Sequence, residues 1–223
     1  MFKHIKNDIK AIRDRDPAAK STLEILVCYP GLHSITIHRL SHWLYKKRLF
    51  LFARILSNMA RFFTGIEIHP GASLGEGIFI DHGMGVVIGE TAEIGNNVTI
   101  YQGATLGGTG KECGKRHPTI GDNVVISAGA KVLGPFTVGS NSKIGAGAVV
   151  LKEVPENCTV VGIPGRVVIK DNRKIKRIGH EIDLDQIRLP DPIAQEIACM
   201  QSRLSKLENY IIKIEGRNSN ETL

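Results

Sequence analysis

Between residues 68 and 150 the aliphatic positions recur every six residues. They run Ile68, Leu74, Ile80 and Val86, slip by two, and continue as Ile88, Ile94, Ile100 and Leu106. Past an inserted loop they resume at Ile120, Ile126, Val132, Val138, Ile144 and Val150. Gly follows the aliphatic residue at 75, 89, 95, 107, 121, 139 and 145. Small or aliphatic residues stand four places after it, at Ala72, Ala92, Val98, Ala104, Val124, Ala130 and Ala148. A helix period of 3.6 and a strand period of 2 both fail on this pattern. A period of six predicts a parallel β-helix, in which short strands alternate with tight turns and each coil stacks on the last. The aliphatic residue fills the axis, and Gly supplies turn conformations that a Cβ would penalise. At about 18 residues per three-sided coil, residues 68 to 165 supply some five coils.

The flanks count differently. Residues 3 to 15 predict a short charged helix. Asp16-Pro17 reads as an N-cap followed by Pro at the first helical position, opening a helix to about Val27 that Pro30-Gly31 ends. Residues 32 to 47 (Leu32, Ile35, Leu40, Trp43, Leu44) and 49 to 63 (Phe52, Ile55, Leu56, Met59, Phe63) predict two amphipathic core helices. For 49 to 63 a membrane-surface helix is the alternative. Residues 191 to 215 place Ile193, Ile197, Met200, Leu204, Leu207, Ile211 and Ile214 at alternating steps of four and three, a heptad seam. Ile at both seam positions leans toward three strands, and a helix folded back on its own β-helix is the alternative. The expected domains are a helical subdomain at 1–65, a β-helix at 66–170, a basic linker at 171–190 and a coiled-coil helix at 191–215.

Composition narrows the partners. Net charge is +7, from 29 Lys plus Arg against 22 Asp plus Glu, which suits an anionic ligand such as a phosphorylated cofactor. Few aromatics and no recognition motif argue against nucleic acid. Residues 166 to 177 concentrate basic groups, read either as a solvated tail or as a phosphate contact. The cysteines at 28, 113, 158 and 199 form no C-x-x-C pair, as expected in a reducing cytoplasm. The N-terminus shows no apolar signal core. Arg54, Asn58 and Arg61 interrupt the apolar stretch at 49–66, so no membrane span is expected.

The chemistry belongs where the repeat breaks. Gly is replaced by Asp81, and His82 follows in IDHGMG. An Asp-His pair off the core axis is a candidate for binding and proton transfer. The inserted loop, GGTGKECGKRHPT at 107–119, carries Arg116 and His117, suited to a carboxylate. A long polar loop on a rigid scaffold is a usual place for function. The P-loop pattern fails at Thr109 and Arg116, no G-x-S-x-G elbow exists, and Cys113 is an exposed thiol without a base. Three-histidine metal catalysis is not expected: position 122 is Asp and no suitable third His lies in the coils.

The hexads with IDHGMGVVIGET, TLGGTGK and GKRHPTIGDNV, and with RDPAA and GLHSITIHRLSHWLY upstream, resemble the serine O-acetyltransferase family over about residues 8 to 170. The resemblance implies a left-handed β-helix and a homotrimer with active sites between neighbouring subunits. It implies acetyl-CoA as co-substrate with no permanent cofactor or metal, L-serine as acceptor, and L-cysteine as inhibitor. His82 matches the catalytic base and Glu67, often Asp in the family, the residue that orients it. Asp16, Asp81, Arg116 and His117 match the amino-acid pocket, so Asp16 has two readings, cap and ligand contact. Gly108, Ala128 and Lys143 match the CoA groove. The helical part is shorter than in the longer bacterial enzymes, without the extension that pairs trimers. The end at Thr222-Leu223 lacks the Ile of the tail that docks into O-acetylserine sulfhydrylase, so that complex is not expected. An acetyltransferase of the same fold acting on a sugar or other small hydroxyl, which would not need Asp16 and Arg116, is the second reading. A non-enzymatic scaffold is the third.

Overall fold

The computed structural model describes residues 2–108, 110, 113–170, 197, 200–207 and 210. The chain divides into two compact units, Met1–Leu189 and Pro190–Leu223. In the first, helices α1 (Phe2–Arg15), α2 (Thr22–Cys28), α3 (Pro30–Lys46) and α4 (Phe50–Thr64) precede the strands. The strands are β1 (Glu67–Ile68), β2 (Ser73–Leu74), β3 (Phe79–Asp81), β4 (Val87–Ile88), β5 (Glu93–Ile94), β6 (Thr99–Tyr101), β7 (Thr105–Gly107) and β8 (Thr119–Ile120). They continue as β9 (Val125–Ile126), β10 (Lys131–Leu133), β11 (Thr137–Val138), β12 (Lys143–Ile144), β13 (Val149–Val150), β14 (Cys158–Val161) and β15 (Arg166–Lys170).

Every third strand stacks, which is the expected parallel β-helix. One face is β1-β4-β7-β10-β13, the second β2-β5-β8-β11 and the third β3-β6-β9-β12-β14, closed by antiparallel β15. The hexad residues fill the axis as the period predicts: all are buried except Leu74, which packs against the same cluster from the rim. The small residues four places on are buried too. Coil length is not uniform. Glu67 pairs with Val87, a coil of twenty residues, whereas Val87 pairs with Thr105, a coil of eighteen. The inserted loop stretches another to twenty-six, from Glu93 to Thr119. Both kinds of extra length are absorbed at corners, so the axis is undisturbed.

The helices correct the expectations in three places. The second helix starts at Thr22, capped by Ser21 Oγ, which accepts from Glu24 N at 3.1 Å. Asp16-Pro17 instead forms a turn, with Asp16 Oδ1 accepting from Ala18 N at 2.8 Å. Pro30 opens α3 rather than closing α2, its fixed φ suiting a first helical position. The third correction concerns α4. Its buried face is the small set Ala53, Ser57, Ala60 and Thr64, while Phe52, Ile55, Met59, Phe62 and Phe63 face outward. Small residues let the helix lie on β1, where Ser57 Oγ donates to Ile68 O at 2.7 Å. Leu40 and Trp43 of α3 are exposed in the same way.

Two devices fix the helices to the first coil. Asp8, fully buried, pairs with Arg39 and accepts from the amides of Gly77 (3.0 Å) and Ile78 (3.2 Å). Gly31 lets α3 rest on β3, since a Cβ there would lie 2.1 Å from Ile80 O. Among the described residues no helix is long and apolar enough to cross a membrane. In the second unit, residues 197, 200–207 and 210 are helical, and the seam residues Ile197, Met200, Leu204 and Leu207 are exposed. Ile193, Ile211, Ile214 and the basic positions beyond 170 lie outside the described residues.

Candidate active site

The corner from the third face to the first carries His82. It is two residues longer than its counterparts, and His82 adopts φ +55, with Gly83 and Gly85 also left-handed. A non-Gly residue held there stores of order 1 kcal/mol of strain. The conformation lifts the imidazole into solvent, with its side chain 73% exposed. Nε2 lies 3.9 Å from Asp81 Oδ2, in reach of attraction but beyond a hydrogen bond. Burial pushes the Asp81 carboxyl up; His82 opposes this, and the Asp16 charge adds to it. Asp16 therefore shares this site although α1 delivers it. Its Oδ2 accepts from Tyr29 OH at 2.5 Å.

Glu67 sits on β1, stacked on Val87 rather than on the His82 corner. Its Oε2 pairs with Arg61 of α4 at 3.0 Å, and no bond joins it to His82. Below His82 the same corner is a strip of left-handed glycines, Gly103, Gly129 and Gly147. They are laddered by Gly103 N to Met84 O, Gly129 N to Gln102 O and Gly147 N to Ala128 O, each 2.9 Å. Ala128 lies on this strip. Lys143 does not stand on it: it sits in β12, 7% exposed, between Val125 and Thr159.

Arg116, His117 and Gly108 gather on a different corner, between the first and second faces. Arg116 pairs with Glu90, whose other oxygen accepts from Tyr45 OH at 3.0 Å. The bond from Arg116 holds the Glu90 carboxyl below its usual range. Thr91 organises the loop end. Its Oγ1 accepts from the amides of Arg116 (3.0 Å) and His117 (3.1 Å) and lies 2.9 Å from His117 Nδ1. Thr91 N donates to the same Nδ1 at 3.2 Å, which makes Nδ1 the acceptor and puts the proton on Nε2. Burial, then Arg116, pushes the His117 imidazole down, so it is a neutral donor near neutral pH. A Cβ on Gly89 would lie 1.9 Å from the His117 ring, so only Gly lets it settle there.

The structure thus brings together Asp16, Asp81 and His82 on one corner, and Arg116, His117 and Gly108 on another. Tyr29, Tyr45, Glu90 and Thr91 were missed in the sequence. Glu90 and Thr91 stood inside IGET, directly after a repeat Gly and beneath the inserted loop, which is a usable signal. Tyr29 and Tyr45 gave none. Among the described residues no three His, Cys, Asp or Glu side chains group as metal ligands.

Comparison with known proteins agrees with this geometry. Residues 1–37 match the model "Serine acetyltransferase, N-terminal", and residues 117–152 match "Bacterial transferase hexapeptide (six repeats)". A serine acetyltransferase of Bacillus licheniformis is 57% identical over 214 residues, covering 96% of this chain and 97% of that protein. A solved serine acetyltransferase in complex with cysteine superposes with TM-score 0.75 at 45% identity, covering 76% of this chain and 66% of the other. One from Brucella abortus strain S19 in complex with coenzyme A gives 0.73 at 48%, covering 75% and 67%. The chain therefore spans about two thirds of these solved chains and nearly all of the Bacillus protein. With its coils, its His82 corner and its Arg116–His117 loop in place, this chain belongs to the serine acetyltransferase family.

Proposed function

We propose that the protein transfers the acetyl group of acetyl-CoA to the hydroxyl of L-serine, giving O-acetyl-L-serine and CoA. The observation that carries this reading is His82, raised on a strained solvent-facing corner beside two carboxylates. Asp16 and Asp81 receive the substrate ammonium, and Arg116 with His117 receives its carboxylate. His82 takes the hydroxyl proton as the serine oxygen attacks the thioester carbonyl carbon. The tetrahedral intermediate collapses, the carbon–sulfur bond breaks, and the imidazolium returns the proton to the departing sulfur. Glu67 is assigned to orient the imidazole and stabilise its charged form, which requires its carboxylate to exchange Arg61 for His82 when the substrates bind. Direct attack requires no acyl-enzyme and no resident cofactor; acetyl-CoA is the co-substrate. The glycine strip with Ala128 offers the pantetheine arm bare backbone, and Gly108 lines the opposite wall. Lys143 belongs to that groove only if its buried ammonium turns outward.

The assembly we infer is a homotrimer in which the His82 corner of one subunit meets the Arg116–His117 corner of the next. Support comes from the separation of the two clusters within one chain. The exposed seam residues of the C-terminal helix fit packing against their own copies. The domain limits proposed above, 1–65, 66–170, 171–190 and 191–215, follow the same division of labour. Exposed thiols at Cys28 and Cys113 fit a reducing cytoplasm.

The test is thioester consumption with L-serine against a panel of hydroxyl acceptors that includes sugars. L-Serine is the preferred acceptor and L-cysteine competes with it, offering the same ammonium and carboxylate. His82→Ala keeps its melting temperature and loses turnover by about a hundred- to ten-thousandfold. Near wild-type turnover in that variant, or preference for a sugar, refutes the reading.

A further inference from the structure

We propose that Tyr29 is a positioning residue of the amino-group pocket, its phenol holding the Asp16 carboxylate where the substrate ammonium arrives. The proposal rests on the reading that Asp16 and Asp81 bind that ammonium. Tyr29 lies between α2 and α3, and its ring packs against the small core of Ile12, Ile25, Leu32 and Phe79. A ring so held has little freedom, and its hydroxyl is a fixed donor to Asp16 Oδ2 at 2.5 Å. The other oxygen, Oδ1, is fixed by Ala18 N at 2.8 Å. The backbone beneath is tied down as well. Asp16 N donates to Ile12 O at 2.8 Å, and the neighbouring Arg15 donates to Gly77 O at 3.2 Å and Thr99 Oγ1 at 3.1 Å. The plane of the carboxylate is thus set from both sides before any substrate binds, which is the preorganisation a charged ligand rewards.

The phenol also answers an electrostatic problem. Asp16 and Asp81 repel, and burial already disfavours charge on Asp81. The other charged group facing Asp81 is His82 at the corner, while Glu24 on α2 faces the Tyr29 phenol and is occupied with Lys20 N at 3.0 Å. Arg15 is directed to Gly77 and Thr99 and cannot neutralise Asp16 directly. A charge-assisted bond from Tyr29 spreads the Asp16 charge and eases the repulsion between the two carboxylates. Burial and the Asp16 bond push the phenol up from its ordinary value, so it remains a protonated donor.

Tyr29→Phe keeps the ring and removes the donor. It raises KM for L-serine about tenfold or more, leaves kcat within about twofold and does not alter KM for acetyl-CoA. In an Asp16→Asn background the same change has no further effect on serine. Calorimetric titration of L-serine into wild type and Tyr29→Phe, without acetyl-CoA, separates the two readings. Equal serine affinity in the two proteins overturns the role of Tyr29 and leaves the proposed reaction standing. Absence of serine binding to the wild-type protein overturns both.

Discussion

The helices and the coils of this chain follow opposite rules for apolar residues. In the coils the aliphatic residue of each hexad points inward, with only Leu74 at the rim, because a prism of stacked strands has one inside and every sixth residue meets it. In α4 the large residues point outward and Ala53, Ser57, Ala60 and Thr64 point in. A helix on a flat solenoid wall gains by approaching closely, and close approach selects small side chains. Phe62 at 82% and Phe63 at 74% exposed are the result. Hydrophobicity reports burial only where geometry leaves one place to be buried.

The strongest way to break this contrast is at the joint. Asp8→Ala strips a buried partner from Arg39 and leaves the Gly77 and Ile78 amides bare. It is expected to cost about 3–5 kcal/mol, read as a lowered urea midpoint. A loss below about 1 kcal/mol would mean that the helices are not fastened to the coils there.

Paired truncations sharpen the comparison within each region. Ile126→Ala, in the axis and fully buried, is expected to cost about 2–5 kcal/mol. Phe62→Ala on α4 is expected to stay within about 0.5 kcal/mol in the same urea titration. Core-sized loss at Phe62 would put that face beneath another surface.

A further test is one of pH. His38 of α3 is 3% exposed, and its imidazole is pushed down to about 3, first by burial and then by His42. Its folded value lies below the unfolded one, so its contribution is complete above about pH 6.5. It is lost as pH falls toward 3, at a slope near 1.4 kcal/mol per pH unit. Unfolding free energies at pH 7.5, 6 and 5 measure that slope, and His38→Gln flattens it. An equal slope in both proteins would assign the acid sensitivity elsewhere.

Much of this was legible in the residues themselves. The hexads named the fold because each coil repeats one geometry, and Asp81-His82 stood out because it breaks that geometry. The outward face of α4 was not legible, since its periodicity marks a stripe without saying which side of the stripe meets the wall. Nor was the hold of Glu90 on Arg116. Residues 90 and 116 meet only because the coils set Glu93 against Thr119, a register that the inserted loop conceals. Tyr29 escaped for a similar reason: its partner Asp16 read as a helix cap, and the cap of α2 is Ser21.

The unequal coils have a consequence for how such a protein can be altered. The extra length at the His82 corner and in the 108–118 loop leaves the strand register on either side intact. Corner length is then a free parameter of the architecture, to be changed without recalculating the interior. A library varying only these two segments would search acceptor chemistry on a constant frame, and each member would inherit the same foldability.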